Sequence, residues 1–346
     1  MGVLDTLRMN RATPSTPAIE LLPPDISAWR QSASGVDYVH VLDSGRPGPN
    51  VMVQALTHGN ELCGALALAW LFGQGMQPQR GKLTLAFANV EAYLRFDAAN
   101  PNRSRCVDED LNRVWADDAL FGARDSIELR RARALRPFVD AADLLLDIHS
   151  MSEPCRALMV CGQCDKNARY AVELGAPADL LIDTGHPAGL RMVERGGFGD
   201  PASRKRALLI ECGQHWERAA EDVAIDTLVR FLALTGVVDP AWAGARLRLP
   251  APDVQQVVRV TEPVVARSMD FHFLVPLHSL GLIEAAGTPI ARDGDHTWTA
   301  PCDRTVLVMP GMAHLKPGNT MARLGRFEST DQLQPYPHAA VHQPDH

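Results

Sequence analysis

One strand–turn–helix segment sets the architecture of this chain: VMVQALTHGNELCGALALAWL, residues 51–71. Its apolar start, Val51–Val53, predicts a short buried strand, and Leu62–Leu71, rich in helix-forming residues, predicts a helix. His58 and Glu61 lie in the turn between them. Open α/β sheets bind ligands at such turns, outside the carboxyl ends of the strands. An imidazole and a carboxylate three residues apart can converge on one divalent metal ion, and nitrogen and oxygen ligands suit zinc.

The composition of the whole chain is ordinary for a globular protein. Of its 346 residues, 46% are hydrophobic and 22% are charged, which suits one large enzyme domain with or without a smaller one. The net charge of −7 gives no reason to expect a nucleic-acid partner. We find no apolar run of the length of a membrane span or a signal peptide. Seven cysteines, an odd number, favour a reducing cytoplasm over a disulfide framework.

Predicted strands and helices alternate around the opening segment. Apolar or alternating runs predict strands at residues 36–42, 82–89, 142–148, 156–161 and 207–210. Periodic spacing predicts helices at residues 125–138, 167–174 and 217–235. This order predicts an α/β fold in which helices flank a mixed, mostly parallel sheet. The polar segment 91–110 is predicted to be a long surface loop.

The residue pattern changes near Asp239-Pro240. Short β-branched runs follow, among them Val257–Val260, Pro263–Ala266 and Thr305–Val308, and glycines separate them. They predict a small all-β domain at the C-terminal end. The expected organisation is therefore a lead-in (1–35), a catalytic domain (36–240), a small β domain (241–330) and a flexible tail (331–346).

A second histidine follows the most apolar predicted strand. His149 lies at the carboxyl end of that strand, so we expect it at the same sheet edge as His58. Together with Glu61 it would complete a three-ligand zinc site. Such a site leaves a fourth position for water, which is the arrangement of a catalytic zinc.

Glu211 follows another buried strand, where a carboxylate is unfavourable unless it is paired or functional. Beside a metal-activated water it could act as general base, and afterwards as acid toward a leaving amine. The polar loop supplies cationic groups. Arg105 is a candidate to hold an oxyanion, while Asn112 and Arg113 offer an amide donor and a planar fork for a carboxylate.

Taken together, these motifs resemble a known family. Four of them occur in the order and approximate spacing of the zinc carboxypeptidase superfamily: THGNE at 57–61, DLNR at 110–113, DIHS at 147–150 and IE at 210–211. The segment NVEA at 89–92, followed by Arg105 and Asp108-x-Asp110, is similar to the succinylglutamate desuccinylase/aspartoacylase branch of that superfamily. By motif the resemblance covers residues 36–236. A small C-terminal β domain is also a property of this branch.

The resemblance implies a zinc-dependent deacylase that hydrolyses the amide bond of a small N-acyl amino acid. His58, Glu61 and His149 would bind one zinc ion per chain, and Glu211 would be the catalytic base.

The resemblance also assigns roles to the loop residues. Arg105 would stabilise the tetrahedral intermediate, and Asn112 with Arg113 would hold the carboxylate of the substrate.

The residues that contact the rest of the substrate stay open. The family's further arginine upstream of the base matches either Arg204 or Arg206, and its C-terminal aromatic residue has no Tyr counterpart, which leaves His314 as a candidate. The acyl group, the amino acid and the oligomeric state are therefore undetermined. Two alternatives remain: a zinc carboxypeptidase acting on peptides, whose access an added β domain would narrow, and a binding protein without activity.

Overall fold

The computed structural model describes residues 17–183, 185, 188–312 and 315–336. Its strands, numbered in chain order, are β1 Val39–Asp43, β2 Asn50–Ala55, β3 Lys82–Phe87, β4 Leu144–Met151, β5 Leu158–Val160, β6 Asp179–Ile182, β7 Arg206–Gln214, β8 Gln256–Val265, β9 His272–Phe273, β10 Gly281–Ile283, β11 Pro289–Asp293, β12 His296–Thr299, β13 Thr305–Val308 and β14 Thr320–Glu328. Its α-helices are α1 Leu62–Gly73, α2 Val90–Tyr93, α3 Asp117–Phe121, α4 Ile127–Ala141, α5 Asp165–Leu174, α6 Arg218–Thr235 and α7 Pro240–Gly244.

The main sheet has eleven strands in the order β1-β3-β2-β4-β7-β5-β6-β8-β14-β13-β10. Among the strands before residue 240, only the β1–β3 and β5–β7 pairs are antiparallel. Helices α1, α5 and α6 pack on one face and α4 packs on the other, so the sheet separates two apolar cores. The predicted α/β fold with a mixed, mostly parallel sheet is confirmed.

The opening segment lies inside this sheet. β2 pairs in parallel with β3 on one side and with β4 on the other, and all its residues after Asn50 are buried. Continuous burial explains why its sequence is apolar instead of alternating. α1 then packs against α6 on one face of the sheet.

The C-terminal strands pair antiparallel with one another, and most of them extend the main sheet. β8 pairs in parallel with β6 and antiparallel with β14, so β14, β13 and β10 continue the same layer. A second, three-stranded sheet contains β12, β11 and β9. Because the β6–β8 pair makes one sheet of the strands on both sides of residue 240, the sheet itself marks no domain boundary there. The boundary therefore stays a prediction.

Three local expectations differ from the structure. The runs at 257–260 and 263–266 are parts of one strand, β8, in which the pairing with β14 skips Thr261 as a bulge. The predicted loop 91–110 contains all of α2 except its first residue, and a 3₁₀ turn at Pro101–Ser104. The Asn89 side chain caps the start of α2 by accepting from the Ala92 N–H. Residues 331–336 fell in the predicted flexible tail, yet Leu333 is buried and Tyr336 donates to Glu173 at 2.6 Å. The rest of that tail lies outside the described residues. No helix in the described ranges is long and apolar enough to cross a membrane.

Candidate active site

The turn between β2 and α1 is shaped by two backbone features. Leu56 has φ of 60°, a left-handed conformation that is strained for a non-glycine residue and reverses the chain directly after the strand. Gly59 lies against the 92–105 segment, where an added Cβ would be 2.4 Å from the backbone atoms Ser104 O and Tyr93 N. Only glycine allows this approach. The turn thereby fixes the directions of His58 and Glu61.

Two histidines converge on one buried carboxylate. Nδ1 of His58 lies 2.7 Å from Oε1 of Glu61, and Nδ1 of His149 lies 3.1 Å from Oε2. The Glu61 side chain makes no capping hydrogen bond to α1, although it occupies the N-cap position. Burial opposes the charge of Glu61, but the two histidines outweigh burial and hold the pKa of this carboxyl well below its ordinary value. Two imidazole nitrogens and one carboxylate oxygen within 4.8 Å of one another fit a zinc ion.

The other nitrogen of each histidine contacts an aspartate. Nε2 of His149 lies 2.7 Å from Asp147 Oδ2, and Nε2 of His58 lies 2.9 Å from Asp110 Oδ1. Asp147 is fully buried and also accepts a hydrogen bond from the Thr57 hydroxyl at 2.9 Å. Carboxylates in these positions orient metal-binding histidines and select the tautomer whose free nitrogen faces the metal. Neither aspartate was predicted from the sequence to have a role in the site.

Glu211 lies beside His149 on the neighbouring strand. The two residues are register partners in the parallel β4–β7 pair. Oε2 of Glu211 is buried without a hydrogen-bond partner among the described residues. Burial, reinforced by the charge of Glu61 and opposed by His149, raises the pKa of Glu211 to about 8. A carboxylate with a free oxygen and a raised pKa is suited to accept and release a proton near neutral pH.

Arg105 is fixed beside the cluster by a clamped loop. Its Nη2 donates to Asp110 Oδ2 at 2.9 Å, and its Nη1 lies 3.8 Å from Glu61 Oε1. Glu128, on α4 and fully buried, accepts the backbone N–H groups of residues 107–109 at 2.7 to 3.2 Å. This carboxylate therefore holds the loop that carries Arg105 and Asp110. Glu128 was predicted to lie in a helix, but its contact with this loop was not predicted from the sequence.

Asn112 and Arg113 form the next part of the wall. Oδ1 of Asn112 accepts from the Met192 N–H at 3.0 Å, so its NH₂ group is the end left for a substrate oxygen. Nη1 of Arg113 donates to the backbone oxygen of Asn112 at 2.7 Å. Among the described residues no carboxylate forms an ion pair with Arg113. Burial and the charges of neighbouring arginines lower its pKa, while Asp110 opposes them.

All seven residues predicted for the site line one pocket of about 650 Å³. Three further polar residues of the same pocket, His215, Arg191 and Arg323, were also not predicted from the sequence. His215 directly follows β7 and could have been found by extending that strand. Arg191 precedes the 3₁₀ turn Met192–Glu194 and Arg323 lies on β14, and no local sequence pattern places either of them beside β7.

Two of the three candidates for further substrate contacts, Arg204 and Arg206, do not line this pocket. Arg204 is exposed and Arg206 stacks on the Tyr336 ring at 4.1 Å, so the structure gives no support to either arginine as a substrate contact. Arg206 begins β7, and five residues at about 3.3 Å each separate it from Glu211 at the other end. His314 lies outside the described residues.

Comparisons with known proteins identify the family of the chain and proteins that share its fold. A sequence profile of the succinylglutamate desuccinylase/aspartoacylase catalytic domain matches residues 47–232, more than half of the chain. A comparison with curated proteins finds no match.

Several solved structures have a similar fold. Succinylglutamate desuccinylase from Vibrio parahaemolyticus has a TM-score of 0.58 at 19% identity, covering 81% of this chain and 82% of that one. A product-bound ectoine utilization protein from Ruegeria pomeroyi has a TM-score of 0.59 at 16% identity, covering 88% and 92%. Murine aminoacylase 3 has a TM-score of 0.56 at 20% identity, covering 82% and 96%. These identities show a shared fold alone, and the profile match carries the assignment: the chain belongs to the succinylglutamate desuccinylase/aspartoacylase family.

Proposed function

We propose that this chain is a zinc-dependent deacylase that hydrolyses the amide bond of a small N-acyl amino acid. The observation that carries the proposal is the pair of histidines, each with Nδ1 against Glu61 and Nε2 against an aspartate. One zinc ion per chain would be held by His58, Glu61 and His149. When bound there, zinc supplies a Lewis acid that polarises the substrate carbonyl and makes water more acidic.

Glu211 is proposed to move the protons of the reaction. Its free, buried oxygen takes a proton from the attacking water as the new carbon–oxygen bond forms. The same carboxyl then gives that proton to the amide nitrogen as the carbon–nitrogen bond breaks. Water is thereby added across the amide, and the products are a carboxylate and an amine.

The arginines are proposed to stabilise negative charge. The guanidinium of Arg105, about one-third exposed, faces the pocket and can hold the oxygen of the tetrahedral intermediate. Asn112 offers an NH₂ group, and Arg113 offers a guanidinium that pairs with no carboxylate among the described residues; both suit the carboxylate of the amino acid.

Residues of the C-terminal strands line one side of the pocket, and we expect them to restrict its access to peptides. Thr320 and Arg323, on β14, and Met309 wall the pocket on the side of the C-terminal strands. A longer peptide would have to pass this wall. The carboxypeptidase alternative therefore predicts faster cleavage of dipeptides and tripeptides than of N-acyl amino acids, in a direct comparison of kcat/KM.

The test is hydrolysis of acetyl- and succinyl-amino acids by the zinc-loaded protein. We expect Glu211→Gln to lower kcat by at least ~10²-fold without changing the zinc content, because a general base typically contributes this much. Glu91→Gln, at an exposed glutamate, is the matched control and should leave kcat unchanged. A Glu211→Gln variant with full activity would refute the role of this residue. A zinc-loaded wild-type protein that cleaves no compound in the panel would favour the binding-protein alternative.

A further inference from the structure

His215 presents to the pocket a ring nitrogen that no described residue contacts. The residue is buried, yet its side chain lines the pocket. Nδ1 lies 2.9 Å from the Ser150 hydroxyl oxygen, whereas Nε2 has no hydrogen-bond partner among the described residues. Polar atoms inside a protein are normally hydrogen-bonded, so Nε2 is suited to a partner that enters the pocket.

The contact with Ser150 decides which ring nitrogen carries the hydrogen. Ser150 is buried, and Nδ1 of His215 is the one acceptor that the described residues offer to its hydroxyl. The hydroxyl therefore donates to Nδ1, and the hydrogen of the neutral ring lies on Nε2. Burial lowers the pKa of His215 to about 4 against the opposing charge of Glu61, so the ring is neutral at pH 7. His215 thus offers the pocket one uncharged N–H donor.

The ring of His215 is held in place by its surroundings. Its backbone N–H donates to the Met151 carbonyl at 2.8 Å, so the chain stays beside β4 after β7 ends. The ring also contacts that of Trp216, with centroids 5.5 Å apart, and the indole N–H of Trp216 donates to the Asn60 carbonyl at 3.1 Å. A donor fixed in this way loses little conformational freedom when a ligand binds to it.

His215 and the proposed carboxylate-binding residues belong to different parts of the pocket wall. The N–H of Ser150, the hydrogen-bond partner of the ring, donates to Glu61 Oε2 at 3.3 Å, so His215 lies on the Glu61 side of the proposed metal site. Asn112 is held elsewhere, by a backbone N–H of the 3₁₀ turn after β6, and Arg113 donates to its carbonyl. The two donor groups can therefore bind different ends of one substrate.

The acyl group is the end of the substrate that His215 can reach. The carboxylate of the amino acid is assigned to Arg113 and the amide to the proposed metal site, which leaves the acyl group for the remaining part of the wall. We propose that Nε2 of His215 donates a hydrogen bond to an acyl oxygen beyond the amide carbonyl, so that the preferred acyl groups carry such an oxygen. This inference rests on the proposed deacylase function and narrows its substrate class. A neutral donor requires only an acceptor, so an ether or hydroxyl oxygen suffices.

Two nearly isosteric, equally charged compounds test the inference. N-methoxyacetyl-L-alanine has an ether oxygen where N-butanoyl-L-alanine has a methylene group. The oxygen also makes the amide carbonyl more reactive, so the ratio of the two kcat/KM values is compared between zinc-loaded wild-type protein and His215→Phe. His215→Phe keeps a ring and removes both nitrogen atoms. We expect it to lower the preference for the ether by roughly 3- to 10-fold, the range of a hydrogen bond between neutral groups.

Two further variants separate a donor from a structural ring. His215→Gln keeps an NH₂ group that can take the place of Nε2, so we expect it to retain the preference for the ether. His272→Phe, at an exposed histidine on β9, is the matched control and should also retain it. An unchanged preference in His215→Phe overturns the inference. Equal losses of preference in His215→Phe and His215→Gln overturn it as well, because they mark a structural role.

The acid products give a test that needs no variant. If His215→Phe fails to fold, methoxyacetate must still inhibit the wild-type protein more strongly than butanoate does, and equal inhibition overturns the inference. Cleavage of both amides without a preference that depends on His215 overturns only this inference. Cleavage of neither amide, nor of N-acetyl-L-alanine, overturns the proposed function as well.

Discussion

Acid should destabilise this protein through His215. The imidazole is 2% exposed, and its Nδ1 lies 2.9 Å from the Ser150 hydroxyl oxygen. Burial lowers its pKa from 6.5 to about 4, with Arg105 adding to the effect and Glu61 opposing it. The folded state therefore favours the neutral ring. Its contribution to stability is fully present above pH 6.5 and is lost as the pH falls toward 4.

The magnitude follows from these two pKa values. One pKa unit corresponds to about 1.4 kcal/mol, so the loss is about 2 kcal/mol at pH 5 and approaches about 3 kcal/mol below pH 4. His215→Asn removes the titrating group and keeps an amide that can bond to Ser150. Urea unfolding at pH 7.5 and 5.0, in EDTA so that zinc release does not contribute, measures the difference.

We expect the free energy of unfolding of the wild-type protein to fall by about 2 kcal/mol more than that of His215→Asn between these two pH values. His272→Asn, at an exposed histidine on β9, is the control and should fall as much as the wild type. Equal losses in the wild-type protein and His215→Asn would refute the reasoning. That result would mean that His215 is as easily protonated in the folded protein as in the unfolded chain.

Three further changes test the site. Asp147→Asn should weaken zinc binding by ~10- to 100-fold, because it removes a carboxylate that orients His149; competition with a chelator measures this. The control, Asp143→Asn, at an exposed aspartate just before β4, should leave zinc binding unchanged. Arg113→Gln should raise KM tenfold or more at constant zinc content, which is roughly the effect of losing a charge-assisted hydrogen bond to the substrate. Arg204→Gln, at an exposed arginine outside the pocket, should leave kcat/KM unchanged. Equal effects of the two substitutions would contradict the proposal that Arg113 binds the substrate. Glu128→Gln should lower the free energy of unfolding by about 1–3 kcal/mol and lower kcat, because its NH₂ group would face the backbone N–H donors of residues 107–109. Unchanged urea unfolding would contradict the role of Glu128 in holding this loop.

The residues proposed to bind the metal could be predicted from the sequence because they follow strands. His58 and His149 end apolar runs that parallel pairing brings to one edge, and Glu211 ends a third. Asp147 could also have been predicted from the sequence. Residues two apart on a strand lie on the same face, so Asp147 lies beside His149. Reading the strand period at that point would have identified it.

The rest of the pocket depends on relations that no local pattern contains. Arg204 and Arg206 were candidates because they are close to Glu211 along the chain. Arg206 and Glu211 lie on the same extended strand, however, so closeness in sequence does not bring Arg206 to the pocket. Arg323 is more than one hundred residues from Glu211 in sequence and reaches the same pocket because β8, β14 and β6 lie in one sheet. The antiparallel insertion of β5 between β7 and β6 is also invisible to a periodicity argument.

The pairing of β8 with β6 has a consequence for the growing chain. Until residue 256 has emerged from the ribosome, the apolar strand β6 has a free edge toward the side that β8 later covers. Free edges of this kind template association between molecules. A fragment that stops near residue 240 would keep this edge and lack Arg323, so we expect it to aggregate and to have an incomplete pocket. Late synthesis of the last strands thus both completes the substrate site and removes a hazard during folding.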